Sequence, residues 1–302
     1  MKISKILSGL MCAGMLCNNV VEASVIAESN VSVENLALTF FDAAAGGSVL
    51  TPGIVPGSDV VLSDVGISFT GTSVSATLNG ISDADSYTTL VTDPLAVIAI
   101  DITSSLTSGA SLASAESKLD GNILTTGADG ITDSNVEVYG QSSGDANSQI
   151  INNLESVFSF TVAGDVYVDL SFDWMLDVLV SVFDDGGTGV ATWDLTVTLE
   201  DDCIGLGCGS TLIDFDLSTL ASVGTDQTGT LNDVGDLFDE TISASFSSGR
   251  QLLAAGAYKL NINQNTSAAA NSVDVQAPAT LAILGLSLLG VAGISRKKTN
   301  QA

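Results

Sequence analysis

Carboxylates are the only abundant side chains in this sequence that could hold a cation or move a proton. The 302-residue chain carries 35 Asp and Glu, eight Lys and Arg, and no histidine. Hard oxygen donors gathered on loops suit calcium. Three groups have that character: Asp184 with Asp185, the run Glu200-Asp201-Asp202, and Asp129 with Asp133. None follows the spacing of an EF-hand loop. Calcium is therefore the candidate cofactor. The competing reading is that these residues make turns and a solvated acidic surface.

Other chemistries lack their residues. Without histidine there is no His-dependent Ser or Cys triad and no His-based metal catalysis. No phosphate loop or dinucleotide fingerprint stands in a strand-to-helix setting. Paired carboxylates could hydrolyse glycosides, but the sequence singles out no pair, so no enzyme is expected. Between residues 24 and 275 the only cations are Lys118, Arg250 and Lys259, against every acidic residue but Glu22. A surface this acidic repels nucleic acid.

The two ends read as export signals. Lys2 and Lys5 precede an apolar stretch from Ile6 to Cys17, and small residues follow in Val20-Val21-Glu22-Ala23. This is a secretory signal, with cleavage by signal peptidase expected between Ala23 and Ser24. At the other end, Pro278-Ala279-Thr280 opens an uncharged, overwhelmingly apolar stretch over 279–294, and Arg296-Lys297-Lys298 closes it. As a helix that stretch would span roughly 24 Å, short of the ~30 Å hydrocarbon layer. It would carry its basic end at the cytoplasmic face. This tail resembles the PEP-CTERM sorting signal of Gram-negative bacteria, with Gln276 and Ala277 standing where that family has Pro and Glu. The resemblance covers about residues 275–298. It implies an exosortase-like membrane peptidase as partner, transient anchoring in the inner membrane, and delivery to the cell surface or an exopolysaccharide-rich matrix.

Two cysteines remain after removal of the signal. In an oxidising compartment, Cys203 and Cys208 of Cys-Ile-Gly-Leu-Gly-Cys are expected to form a disulfide. So short a loop contributes only ~2 kcal/mol.

The segment that must position any site is β-rich. Val166, Val168, Leu170, Phe172 and Trp174 alternate with polar residues, as do Ala191, Trp193, Leu195, Val197 and Leu199. Ile213 to Leu217, Ile242 to Phe246, Tyr258 to Ile262 and Phe158 to Val162 repeat the pattern. Leu36 to Phe41, Ile67 to Thr70, Val74 to Leu78 and Leu95 to Ile102 are further candidates. A period of two with Thr and Ser on the second face predicts half-buried antiparallel strands. Asp184-Asp185-Gly186-Gly187 reads as a hairpin loop. Ser108 to Asn122 fits either a short helix or a flat strand of small residues.

The expected organisation is a signal peptide over 1–23, a jelly-roll-like antiparallel two-sheet sandwich over 24–264, a flexible spacer over 265–275, and the sorting tail over 276–302. Trp174 and Trp193 fall on apolar faces and are expected in the core. Tyr87, Tyr139 and Tyr167 are the aromatics free to meet a sugar. Together these features predict an exported structural or adhesive protein of an extracellular matrix. A carbohydrate- or calcium-binding module is the alternative, and a secreted glycoside hydrolase ranks third.

Overall fold

The computed structural model describes residues 24–43, 47–52, 60–61, 67–91, 96–140, 142–150, 158–183, 187–202, 210–219, 228–231 and 237–272. The strands are β1 (Ser24–Asp42), β2 (Val49–Leu50), β3 (Val60–Val61), β4 (Ile67–Leu78), β5 (Ile81–Val91), β6 (Ile98–Ser108), β7 (Ser111–Asn122), β8 (Gly127–Tyr139) and β9 (Ser142–Ile150). There follow β10 (Phe158–Val162), β11 (Val166–Val182), β12 (Thr188–Asp201), β13 (Thr211–Asp216), β14 (Thr228–Leu231), β15 (Leu237–Ser247), β16 (Gln251–Leu253) and β17 (Gly256–Ser272).

Period-two alternation leaves each strand one apolar face, and two sheets bury those faces against each other. The first sheet runs β15-β11-β1-β8-β7-β6, with β16 beside β11 and β2 beside β1. The second runs β13-β12-β17-β9-β4-β5, with β14 on β12 and β10 between β17 and β3. Neighbouring strands are antiparallel throughout the pairs of both sheets. A jelly roll builds eight strands from two Greek keys. Here each main path has six strands, and β6, β7 and β8 form a consecutive meander. The two-sheet sandwich stands, and the jelly-roll order is corrected.

The interior changes character along its width. One half is aromatic and branched. Phe172 meets Phe215 at 4.9 Å and Phe246 at 5.1 Å, and Phe160 lies between Phe40 and Tyr258. Trp174 and Trp193 are both 3% exposed, in the core as expected. The other half is built from Ala113, Ala115, Ser117, Ser134, Ala146 and Ser148, all buried. Here short side chains cross from one sheet to main-chain carbonyls of the other. Ser134 Oγ donates to the Thr266 carbonyl at 3.1 Å, Ser29 Oγ to that of Thr192 at 2.9 Å, and Ser148 Oγ to that of Glu116. Gln264, 1% exposed, donates through Nε2 to the Val31 carbonyl at 2.7 Å and to Thr132 Oγ1 at 3.2 Å. A serine reaches a facing carbonyl only where the sheets lie closer than the usual ~10 Å. Buried hydroxyls and amides are tolerable because they are bonded.

Several expectations change. The spacer placed over 265–275 is strand as far as Ser272: Asn265 pairs with Asp194 and Gln149, and Ser267 with Thr192 and Asn147. Thr266, Ala268, Ala270 and Ser272 are its buried face. They are small because the sheets are close there, which hides the strand from a search for large apolar residues. The ambiguous stretch from Ser108 to Asn122 holds the end of β6, a turn and the strand β7. Leu217 lies in a 3-10 turn, Leu217–Thr219, instead of a strand.

The membrane expectation is corrected as well. No helix among the described residues is long and apolar enough to cross a membrane. The apolar stretch 279–294, with Pro278, Ala279, Thr280 and the basic Arg296, Lys297 and Lys298, lies outside them. A sorting helix, inner-membrane anchoring and an exosortase-like partner acting there therefore have no counterpart among the described residues. The expected disulfide has none either, since Cys203 and Cys208 also lie outside them.

Candidate functional site

Alternation gives each sheet an outer face as well as an inner one, and the two outer faces differ. The first sheet presents carboxylates. Along β11 these are Asp169, Asp173 and Asp177. Thr241 Oγ1 donates to Asp177 at 2.7 Å, Ser245 Oγ to Asp173, and Ser247 Oγ to Asp169 at 3.0 Å. A β-bulge in β1 between Glu34 and Ala37 places Asn35 at a φ of 57°. From there its main-chain N–H donates to Asp129 Oδ1 at 2.8 Å, and its side-chain amide to Asp173 at 3.5 Å. Glu116, Asp133, Asn30 and Asp177 then form a row across β7, β8, β1 and β11.

Like charges this close oppose ionisation. Partial burial raises the Glu28 carboxyl above the usual carboxylate range, helped by Asp133, Asp177 and Glu137. Asp133 is raised by burial and by Glu116, against the lowering effect of hydrogen bonds from Asn30 and the Ser134 main chain.

Among the described residues the calcium candidates do not converge. Asp129 and Asp133 share the outer face of β8 but stand four residues apart, which on a strand is about 13 Å. Glu200 faces Lys259 in an ion pair at 3.3 Å. Asp201 is the next residue of β12, opposite Tyr258, and the Asp202 main chain donates to the Ala257 carbonyl at 2.8 Å. Asp184 and Asp185 lie outside the described residues. Among the described residues, no group of three or more His, Cys, Asp or Glu is arranged to hold a metal ion.

The second sheet presents amides and hydroxyls, in two zones. On β12 and β17 these groups bond one another: Asn263 Nδ2 to Asp194 at 2.8 Å, Asn261 Nδ2 to Thr198 Oγ1 at 3.3 Å, and Thr192 Oγ1 with Ser267 Oγ at 2.6 Å. Burial and the nearby Asp216 raise the Asp194 carboxyl, and the Asn263 bond acts against that. On β4 and β5 Thr77 Oγ1 and Ser82 Oγ share one such bond at 3.1 Å, and further along β9, β4 and β5 the same residue types stand in register without one. Asn147 lies opposite Ser75, and Gln149 opposite Ser73, which is opposite Ser86. These residues line an open groove of about 520 Å³, with Val74, Ala84 and Asp85. Beside Gln149, the buried Asn265 Oδ1 has no hydrogen-bond partner among the described residues.

Asn147 and Gln149 were not singled out by the sequence. Their signal is weak: in Ser142–Ile150 the buried set is Gly144, Ala146, Ser148 and Ile150, so alternation shows in size more than in polarity. Of the tyrosines, Tyr87 is 45% exposed on β5, Tyr139 donates to Glu137, and Tyr167 is half-buried beside Phe41. They form no common platform, because they stand on three different strands: β5, β8 and β11.

The geometry defines a class: an acidic two-sheet β-sandwich with one carboxylate face and one amide-and-hydroxyl face. No family model, no curated protein and no solved structure matches the chain.

Proposed function

We propose that this protein is an exported structural component of an extracellular polysaccharide matrix, and that it associates with polysaccharide through the outer face of its second sheet. The observation that carries this reading is the groove on β9, β4 and β5, whose amides and hydroxyls have no side-chain hydrogen-bond partner among the described residues. Polysaccharides offer hydroxyls that both donate and accept. Asn and Gln amides do the same, whereas an ionised carboxylate only accepts. The export half of the reading rests on the N-terminal signal and on the tail's resemblance to a surface-sorting signal.

The test is co-sedimentation of the purified protein with extracellular polysaccharide isolated from its host. The expected result is protein in the pellet in proportion to polysaccharide, and release when the polymer is digested. Protein that stays in the supernatant at every polymer concentration would overturn the association.

A further inference from the structure

We infer that the groove on β9, β4 and β5 is a subsite for a short stretch of an uncharged polysaccharide, and that it discriminates against polyanionic chains. This inference rests on the matrix reading and narrows its ligand. Three observations carry it.

The first is hydrogen-bonding capacity. No hydrogen bond among the described residues engages the side-chain amides of Asn147 and Gln149 or the hydroxyls of Ser73, Ser75 and Ser86; Ser86 and Gln149 are bonded through their main chain only. Chemically similar groups on β12 and β17, such as Asn261, Asn263 and Thr192, are paired with one another. On β4 and β5 themselves Thr77 Oγ1 and Ser82 Oγ are bonded to each other, so the open set is the cluster Ser73, Ser75, Ser86, Asn147 and Gln149, with the unpaired Asn265 Oδ1 beside it.

The second is shape. Asn147 and Gln149 are two residues apart on β9, so both point outward, about 6.7 Å from each other. Ser75 and Ser73 face them from β4. A groove of about 520 Å³ falls within the ~300–1,000 Å³ of ordinary ligand clefts. It is open to solvent and not an enclosed cavity.

The third is charge. The groove lining contains Asp85 and no Lys or Arg. Asp145 projects from β9 opposite Thr77. A uronate or sulfated chain would meet negative charge without a compensating cation. Amide and hydroxyl groups hold a neutral chain without such a penalty.

The test is affinity electrophoresis of the purified full protein in gels containing one defined polymer each: dextran, a mixed-linkage β-glucan, galactomannan, or a polyuronate as the anionic control. At least one neutral polymer should retard the protein, and the polyuronate should not. The variant Asn147→Ala/Gln149→Ala should weaken binding to that neutral polymer by about tenfold or more, since two neutral hydrogen-bonding groups are lost. Its melting temperature should stay near that of the parent. Asp173→Asn, on the opposite face, should leave retardation unchanged.

Retardation that survives the double variant would overturn the groove assignment while leaving the matrix reading in place. Stronger retardation by polyuronate than by every neutral polymer would overturn the ligand class. If no defined polymer retards the protein although the host's own polysaccharide still carries it to the pellet, the groove inference falls and the matrix reading stands. Failure in both experiments removes both.

Discussion

The two outer faces of the sandwich are made by the same rule and reach different ends. On the first sheet the polar half of each alternation is largely carboxylate, and the β11 aspartates accept hydroxyls from β15. On the second sheet it is largely amide and hydroxyl, bonded in pairs on β12 and β17 and between Thr77 and Ser82, and open among the described residues at the groove of Ser73, Ser75, Ser86, Asn147 and Gln149. Period two determines which residues face outward and leaves their chemistry free. A folded sheet therefore constrains its inner face far more than its outer one. The face whose groups lack internal partners is the one to search for a ligand.

The largest expected effect would break both faces together. Trp174 lies beneath the first sheet and Trp193 beneath the second, in one continuous core. Changing either to Ala should cost about 3–5 kcal/mol, read as a lower urea midpoint. Because the faces share that core, glycan binding and the native tryptophan signal should be lost in a single transition.

A smaller effect sharpens the comparison where the sheets lie close. A Cβ on Gly144 would stand 2.7 Å from Val136 Cγ1, on the facing sheet. Gly144→Val should destabilise by about 1–3 kcal/mol. Nothing lies within 4 Å of a Cβ on Gly164, so Gly164→Ala should stay within about 0.5 kcal/mol. Thermal melts of the two variants would check both expectations.

The carboxylate face makes a pH prediction. Glu28 and Asp133 have raised folded-state pKa values, so the native state binds their protons more tightly than the unfolded chain does. Their contribution to stability then falls as pH rises from the ordinary carboxylate range through the raised values. Asp133→Asn should be more stable than the parent at pH 7, and the two should converge as pH falls towards 4. Melting temperatures taken across that range would show it.

The smallest effect concerns the paired zone of the second sheet. The Glu200–Lys259 ion pair is partly exposed, and such pairs contribute about 0–1 kcal/mol. Lys259→Ala should lower the urea midpoint only slightly and leave glycan binding unchanged.

Large apolar residues made half of the fold legible. Val166 to Trp174 and Ala191 to Leu199 alternate strongly, and they became the cores of β11 and β12. The other half was harder to read because its interior is Ala, Ser, Thr and Gly. Ser108 to Asn122 reads as either a short helix or a flat strand of small residues, and Asn265 to Val275 as a spacer; within them lie the segments 111–122 and 265–272. Both are strands whose small inward residues follow from the close approach of the sheets. The calcium candidates were legible as residue types, but the described ones do not form a site, since Glu200 and Asp201 alternate faces and Asp129 and Asp133 stand four residues apart. The groove was illegible for a different reason. It joins Ser73 and Ser75 to Ser86, Asn147 and Gln149 through strand register, and no local pattern announces that register.

The measurement that tests the central claim most directly is fractionation of the native host, with intact-mass analysis of the protein in each fraction. The account predicts protein beginning at Ser24 in the extracellular polysaccharide fraction, released when that polymer is digested. Protein that still begins at Met1 and stays inside the cell, with none in the matrix fraction, would contradict it.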